Sequence, residues 1–318
     1  MSLSDLDPSS RHGALLPGAP SIRSPLSLLS SLSVLSALPV LSALSVAGAL
    51  SLAGCSSGDA DPDAGEQLPD LVELSPEPAG SPTEAVKGRL ECHRKNDPGP
   101  ATAAAVELNG YVRVLADPTA KKDPPAAKVE IFDAAGTFLD DAYADPTKSG
   151  RISVSVPVPK SGFRGHARVT FKGYVPTRFT SSRPTTRGDL AGWVWMATEA
   201  ELEARAKALS TTLDKGKGVL LGSVHDCDLF GIENAIVTVD GEAAATRYTE
   251  GFELSASRTF TSDAGRFAVP NLAPGKVLVQ AWGRLDARDP LVLLSTREVT
   301  IEAGVISSVD LQPLTGKE

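Results

Sequence analysis

From about Ala104 onward the apolar and polar side chains alternate with a period of two. In Gly110-Tyr111-Val112-Arg113-Val114 the valines take one side, and Tyr111 and Arg113 the other. Lys128-Val129-Glu130-Ile131 and Arg151-Ile152-Ser153-Val154-Ser155-Val156 repeat the pattern. Gly165 to Lys172 puts Ala167, Val169 and Phe171 on one face, and His166, Arg168, Thr170 and Lys172 on the other, which leaves His166 in solvent. Such alternation predicts strands with one buried and one wet face, in antiparallel sheets. Asp117-Pro118, Pro124-Pro125, Asp145-Pro146 and Ser149-Gly150 punctuate them, as in a β-sandwich. Ala191 to Met196 reads as the last strand of this first module.

The period then changes. Thr198-Glu199-Ala200-Glu201 fits a capping box, in which the Thr198 hydroxyl takes the Glu201 amide and the Glu201 carboxylate reaches back. Leu202, Ala206, Leu209 and Leu213 follow at helical spacing, and Gly216 and Gly218 are the expected stop. The helix lies between two sandwich-like stretches, so its stripe is expected to pack on one or both of them; a helix that binds a partner is the alternative.

A second module opens at Val219-Leu220-Leu221-Gly222-Ser223-Val224. Next come Ala235-Ile236-Val237-Thr238-Val239, the turn and strand Thr261-Ser262-Asp263-Ala264-Gly265-Arg266-Phe267-Ala268-Val269, and Asn271-Leu272-Ala273-Pro274-Gly275 leading into Lys276 to Ala281. Arg297 through Leu311, with Val299, Ile301, Val309 and Leu311, supplies closing strands. Strand, turn and strand in this order resemble the carboxypeptidase regulatory-like domain. The resemblance covers Val219 to about Leu314, and implies a transthyretin-type sandwich that acts as a non-catalytic accessory or stalk. The first module looks like a diverged copy: Asp145 to Arg151 with Ile152 and Val154 echoes Asp263 to Arg266 with Phe267 and Val269, without the Asn-Leu-x-Pro-Gly turn.

The beginning of the chain differs from both modules. No charge occurs between Ser24 and Gly58, and Leu, Val, Ala and Ser dominate that run. Arg11 and Arg23 lie ahead of it, and small residues end it, which is the signal-peptide pattern. Leu52-Ala53-Gly54-Cys55 resembles a bacterial lipobox. That resemblance implies cleavage before Cys55, a thioether from Cys55 to diacylglycerol and an acylated amino terminus. With Ser56 next, rather than Asp, it leans towards the outer membrane. An uncleaved membrane helix is the rival, since about 20 apolar residues span a bilayer. Pro25, Pro39 and the many serines would make a poor lipid-facing surface. Residues 56–86 carry eight acidic side chains, five prolines and no Lys or Arg, and are expected to stay disordered as a spacer.

The expected architecture is therefore all-β: two β-sandwich domains in series, joined by one short α-helix, after a signal peptide and a disordered linker. The boundaries are 1–54 for the leader, 55–88 for the linker, 89–197 for the first sandwich, 198–216 for the helix and 217–318 for the second sandwich. A formal net charge of −8 argues against a nucleic-acid partner. Expected partners are the membrane, through the lipid, and an envelope protein or glycan. No cofactor is expected beyond the covalent lipid on Cys55.

Chemistry-bearing residues are sparse. With Cys55 lipidated, Cys92 and Cys227 remain, an even pair in an exported protein, which predicts a disulfide. Two free thiols are one alternative. The other is a zinc site with His93 and His225, although strand neighbours such as Cys92 and His93 point to opposite faces. Trp193, Trp195 and Trp282 are candidate sugar-stacking residues, against the plainer reading that they pack in a core. No Gly-x-Ser-x-Gly elbow occurs. The expectation is a non-enzymatic protein of the cell envelope; a hydrolase with a concealed site in the loop 240–262 is the remaining alternative.

Overall fold

The computed structural model describes residues 72–94, 101–116, 125–186, 193–251 and 253–315, with Trp193 described for its backbone alone. The leader, the lipobox with Cys55 and the first part of the linker lie outside the described residues.

The first lobe contains β1 (Ala105–Val114), β2 (Lys128–Phe132), β3 (Phe138–Tyr143), β4 (Arg151–Pro157), β5 (His166–Thr170), β6 (Thr177–Ser181) and β7 (Trp193–Met196). Helix α1 (Glu199–Ala208) follows. The second lobe contains β8 (Gly218–Val224), β9 (Ile236–Val239), β10 (Arg247–Glu250), β11 (Glu253–Ser255), β12 (Arg266–Leu272), β13 (Gly275–Gly283), β14 (Val292–Ile301) and β15 (Ile306–Leu311). The period-two reading is what the strands bury: Ile152, Val154 and Val156 on β4, Ala167 and Val169 on β5. Phe171 departs from it. The chain turns after β5, the Tyr174 amide donates to the Phe171 carbonyl, and the Phe171 ring stays exposed beside that of Tyr174.

The lobes repeat one another strand by strand. β1 lies between antiparallel β4 and parallel β7, as β8 lies between antiparallel β12 and parallel β15. β2 pairs antiparallel with β5 and β5 with β6; β9 pairs likewise with β13 and β13 with β14. One strand changes sheets: β3 stays with β2, whereas β10 joins β12. The turns before β4 and β12 match too. Gly150 and Gly265 both take positive φ, 74° and 65°, a region that glycine enters without a steric penalty.

The two sandwiches are not separate bodies on a tether. β6 pairs in parallel with β15, merging one sheet of each lobe into a nine-stranded sheet, β11-β10-β12-β8-β15-β6-β5-β2-β3. Residues opposed in a ladder share a face. Phe179 on β6 opposes Ser308 on β15 and belongs to the first core, while Val309 and Leu311 belong to the second. The two cores therefore lie on opposite faces of the common sheet. The sheet β4-β1-β7 closes one core and β14-β13-β9 the other.

The Thr198 capping box forms as expected, with both reciprocal hydrogen bonds. The helix stops earlier than its glycines suggest. Ser210 takes φ 53°, and the amides of Ser210 and Thr211 donate back to Lys207 and Ala206, a left-handed cap that closes the last turn. Leu202, Ile306 and Ala197 are buried together, with Leu115, Val175, Leu213 and Leu221 around them, so α1 sits where the lobes meet. Asn271 reinforces the joint from the second lobe, donating to the Thr212 carbonyl and accepting from the Asp214 amide.

The expected spacer is also corrected. Residues 72–94 form a strap on the second lobe rather than a free linker up to 88. The Leu74 amide donates to Leu291, and the Leu293 amide to Val72, along the outer edge of β14. Further on, Lys87 and Glu233 exchange backbone hydrogen bonds. Leu74, Val86 and Leu90 supply the apolar contacts. Composition averages over this stretch conceal these three anchors, and a free sheet edge offers backbone partners that an isolated segment lacks.

Candidate functional site

Three strands of the common sheet place a polar row at the lobe junction. Ser223 on β8 is opposed by Arg266 on β12 and by Asp310 on β15. Leu220 and Val224 face the second core, so the alternating residues Leu221 and Ser223 face away from it. A cavity of about 70 Å³ opens over this row. Its walls come from elements of both lobes: Leu115 beyond β1, Trp195 on β7, Arg205 on α1, and Thr249 and Leu254 on β10 and β11.

The polar groups are held in place. The Arg266 guanidinium lies 5.5 Å from the centre of the Trp195 ring, a cation–π arrangement. Burial lowers the Arg266 pKa. Arg205 donates to the Leu115 carbonyl at 3.2 Å and lies 3.7 Å from Glu253. The Ser223 hydroxyl donates to Asp310 Oδ1 at 2.8 Å. His225 Nε2 lies 2.7 Å from that hydroxyl and 3.6 Å from the carboxylate. Burial raises the Asp310 pKa, and nearby His225 opposes the shift. His225 Nδ1 is 2.8 Å from the Leu229 carbonyl, so Nδ1 carries the hydrogen. A backbone carbonyl thus orients the imidazole, and the serine lies between imidazole and carboxylate. Nucleophile–imidazole–carboxylate catalysis uses a different order, with the imidazole in the middle.

This set was missed in the sequence. Ser223 near the end of β8 and His225 just beyond it, two apart in sequence, were a visible signal; Asp310 was not, because only the β8–β15 pairing brings it alongside. From the loop 240–262, Thr249 and Leu254 line the crevice.

The tryptophans divide. Trp195 lines the crevice. Trp282 is corrected to a core residue: it is 3% exposed, its indole N–H donates to Thr238 Oγ1 at 2.9 Å, and it packs with Ile236, Leu291 and Leu293. Its β13 position faces the second small core beneath the strap, where a large ring gains most by burial. The side chain of Trp193 lies outside the described residues; its backbone pairs with Tyr111.

Cys92 and Cys227 form a disulfide with Cα atoms 5.8 Å apart. The bond joins the strap to the second lobe, near the end of β8. Around it, the Cys227 amide donates to the Arg89 carbonyl and the Arg89 amide to Asp226 Oδ2, while Arg183 of the first lobe donates to the Pro313 carbonyl. Both sulfurs are consumed, which removes the thiolates from the zinc alternative. His93 is buried with Nε2 3.1 Å from the Leu293 carbonyl, and burial lowers its pKa. His225 is committed to Ser223 and Leu229. Among the described residues no three His, Cys, Asp or Glu side chains gather as a metal site. His166 is not solvated as expected: its ring stacks on Phe132 at 5.0 Å, and Nδ1 lies 3.3 Å from the Arg178 guanidinium. Burial first, then Arg178, lowers its pKa to about 4.

No family model matches the chain, and no curated protein matches it. Solved structures show distant likenesses only. The Bacillus anthracis TIE protein is 16% identical over 68% of this chain and 35% of its own, with a TM-score of 0.23. A streptococcal ancillary pilin is 13% identical over 67% of this chain and 63% of its own, with a TM-score of 0.20. The 3-chlorocatechol 1,2-dioxygenase of Rhodococcus opacus is 11% identical over 44% of this chain and 75% of its own, with a TM-score of 0.22. The chain thus spans less than two thirds of the first two structures. At these scores no functional argument rests on any of the three. Among the described residues no helix is long and apolar enough to cross a membrane.

Proposed function

We infer that this chain is a lipid-anchored, non-catalytic module of the cell envelope, acting as a rigid platform with a binding crevice. The observation that carries the reading is its one-piece construction. Two sandwiches share a sheet, a helix fills their junction, and a disulfide fastens the strap to the second lobe. A disulfide of this kind persists in an oxidising compartment, such as the envelope. The lipobox resemblance at Leu52 to Cys55 supplies the anchor, and the residues between Cys55 and the strap supply a short tether. The carboxypeptidase regulatory-like resemblance of the second lobe supports an accessory role. The Ser223–His225–Asp310 order gives a hydrolase less support than a binding site.

The test is the mature amino terminus. Intact-mass analysis of membrane-extracted protein should find a chain that begins at an acylated Cys55, and Cys55→Ala should abolish acylation and processing. Residues 1–54 still attached to the wild-type protein would sink the anchor reading. A transmembrane anchor would then take its place. Trp195 in the lining of a crevice with polar groups favours a second, narrower reading: the ligand is a glycan.

A further inference from the structure

We propose that Cys92 and Cys227 form a reversible thiol–disulfide exchange centre, opened by a dithiol reductant that attacks Cys227 and displaces Cys92 as a thiolate beside Arg183. The proposal stands apart from the lipid-anchor and glycan readings.

The contact that carries it runs from the first lobe to the strap. The Arg183 guanidinium, just beyond β6, donates to Cys92 Sγ at 3.1 Å and to the Pro313 carbonyl at 2.8 and 3.0 Å. Among the described residues Arg183 has no carboxylate partner, and burial lowers its pKa with no anion opposing the shift. A disulfide sulfur gives this cation a weak, neutral acceptor. A thiolate at the same place would give it an anion, and a guanidinium beside a cysteine favours the thiolate.

The two sulfurs are therefore unequal. Cys227 stands between Asp226, which is buried, and Asp228, which pairs with Arg89 at 2.5 Å. The donor to Cys227 Sγ is the neutral Cys92 amide, at 2.9 Å. Beside Cys92 stand Glu91, which is exposed, half-buried Arg94, and His93, whose lowered pKa keeps it neutral. Water screens Glu91, whereas the Arg183 contact is direct and partly buried. In thiol–disulfide exchange the sulfur that leaves faster is the one of lower thiol pKa, which here is Cys92.

The centre is within reach of a reductant and stays assembled when opened. Both cysteines are partly exposed, and Asp228 to Phe230 are exposed next to Cys227. Backbone hydrogen bonds hold the two segments together independently of the sulfurs. The Cys227 amide donates to the Arg89 carbonyl, the Arg89 amide to Asp226, and Lys87 and Glu233 exchange a pair. Reduction leaves Cys92 beside its former partner, paired with Arg183.

The electrons balance as follows in the forward direction. One thiolate of the dithiol bonds to Cys227 Sγ, the Cys92–Cys227 bond breaks, and its electron pair goes to Cys92 Sγ. The second thiol loses its proton to solvent and attacks the reductant's own sulfur in the mixed disulfide. Cys227 leaves as a thiolate and takes a proton from water. The dithiol is oxidised to a disulfide, and the protein gains two electrons. A disulfide oxidant of the same class reverses the sequence, with Cys92 as the attacking thiolate.

The test uses the full mature protein under native conditions. Oxidised protein is exposed briefly to glutathione, a monothiol that halts at the mixed disulfide, then quenched in acid and mapped by peptide mass. Glutathione should be found on Cys227 in at least about fivefold excess over Cys92. After reduction with dithiothreitol, alkylation rates against pH should place Cys92 at least about one unit below the ordinary thiol pKa of about 8.5. Arg183→Gln should slow attack by glutathione about threefold or more and return Cys92 to the ordinary range, while Arg183→Lys should preserve part of both effects. The mapping on the wild type needs no variant, so it decides the matter even if Arg183→Gln melts early. Glutathione on Cys92, or on both cysteines equally, would overturn the assignment. So would an unshifted Cys92, or a bond that resists dithiothreitol until the protein is unfolded.

Discussion

The ring of Phe267 lies where a side chain on Gly222 would stand. A Cβ on Gly222 would come within 2.3 Å of Phe267 Cζ and 2.9 Å of the Val309 carbonyl oxygen. The two residues are directly opposed across β8 and β12, as Gly110 and Ile152 are across β1 and β4. The glycine therefore makes room for the largest side chain of the strand that follows the turn. Gly222→Ala should cost about 2–3 kcal/mol in chemical denaturation, as overpacking does. Gly222→Ala with Phe267→Leu should recover part of the loss. An unchanged midpoint for Gly222→Ala would remove the close approach from the account of this core.

Gly265 and Gly241 separate two costs that usually arrive together. Both have positive φ, 65° and 86°. A Cβ on Gly265 would stand 2.2 Å from the Val224 carbonyl oxygen, whereas nothing lies within 4 Å of one on Gly241. Gly241→Ala should cost about 1 kcal/mol, the conformational penalty alone. Gly265→Ala should cost about 2–4 kcal/mol, because steric overlap with backbone adds to it. Equal losses, measured by urea unfolding, would contradict the tight packing of the turn.

The disulfide should control the strap. Cys92 and Cys227 are 135 residues apart in sequence, and a loop of that size predicts a loss of about 2–5 kcal/mol when the bond is removed. Cys92→Ser with Cys227→Ser should also make the strap the first site of limited proteolysis, between 72 and 94. Cutting elsewhere first, with the strap protected, would mean that Leu74, Val86 and Leu90 hold it without the bond.

His166 predicts an acid dependence of stability. Its pKa is about 4 in the folded chain against 6.5 for an unperturbed ring. The unfolded chain therefore binds the extra proton first. Stability from this group is complete above about pH 6.5 and declines as pH falls towards 4. The ring is partly exposed, so solvent screening holds the effect to about 1–2 kcal/mol. The lowered pKa of buried His93 acts in the same direction. Unfolding midpoints between pH 7 and pH 4.5 should fall less for His166→Gln than for the wild type. Parallel curves would show that His166 titrates normally.

Alternation of side chains was enough to place most strands, because a half-buried strand must show water and core in turn. The capping box at Thr198 and the turns at Gly150 and Gly265 were legible for a similar reason: each depends on a few neighbours in sequence. The Cys92–Cys227 pairing came from counting thiols in a chain whose start resembles an export signal. What the sequence alone determined is thus local: two β modules, a short helix, and a turn chemistry they share.

The tertiary structure decided how these pieces combine. Nothing in Thr177–Ser181 or Ile306–Leu311 announces that β6 will pair with β15, since the choice depends on two strand edges distant in sequence meeting in register. That pairing makes two sandwiches into one body and puts their cores on opposite faces of one sheet. It also puts Trp195 over Arg266, and the pairing of β15 with β8 puts Asp310 beside Ser223. Trp195 and Trp282 look alike in sequence, both aromatic rings on apolar strands; one lines a crevice and the other fills a core, because only packing from outside their own strands distinguishes them. The strap teaches the same point: three apolar anchors in an acidic, proline-rich segment become sufficient only when a free strand edge receives its backbone.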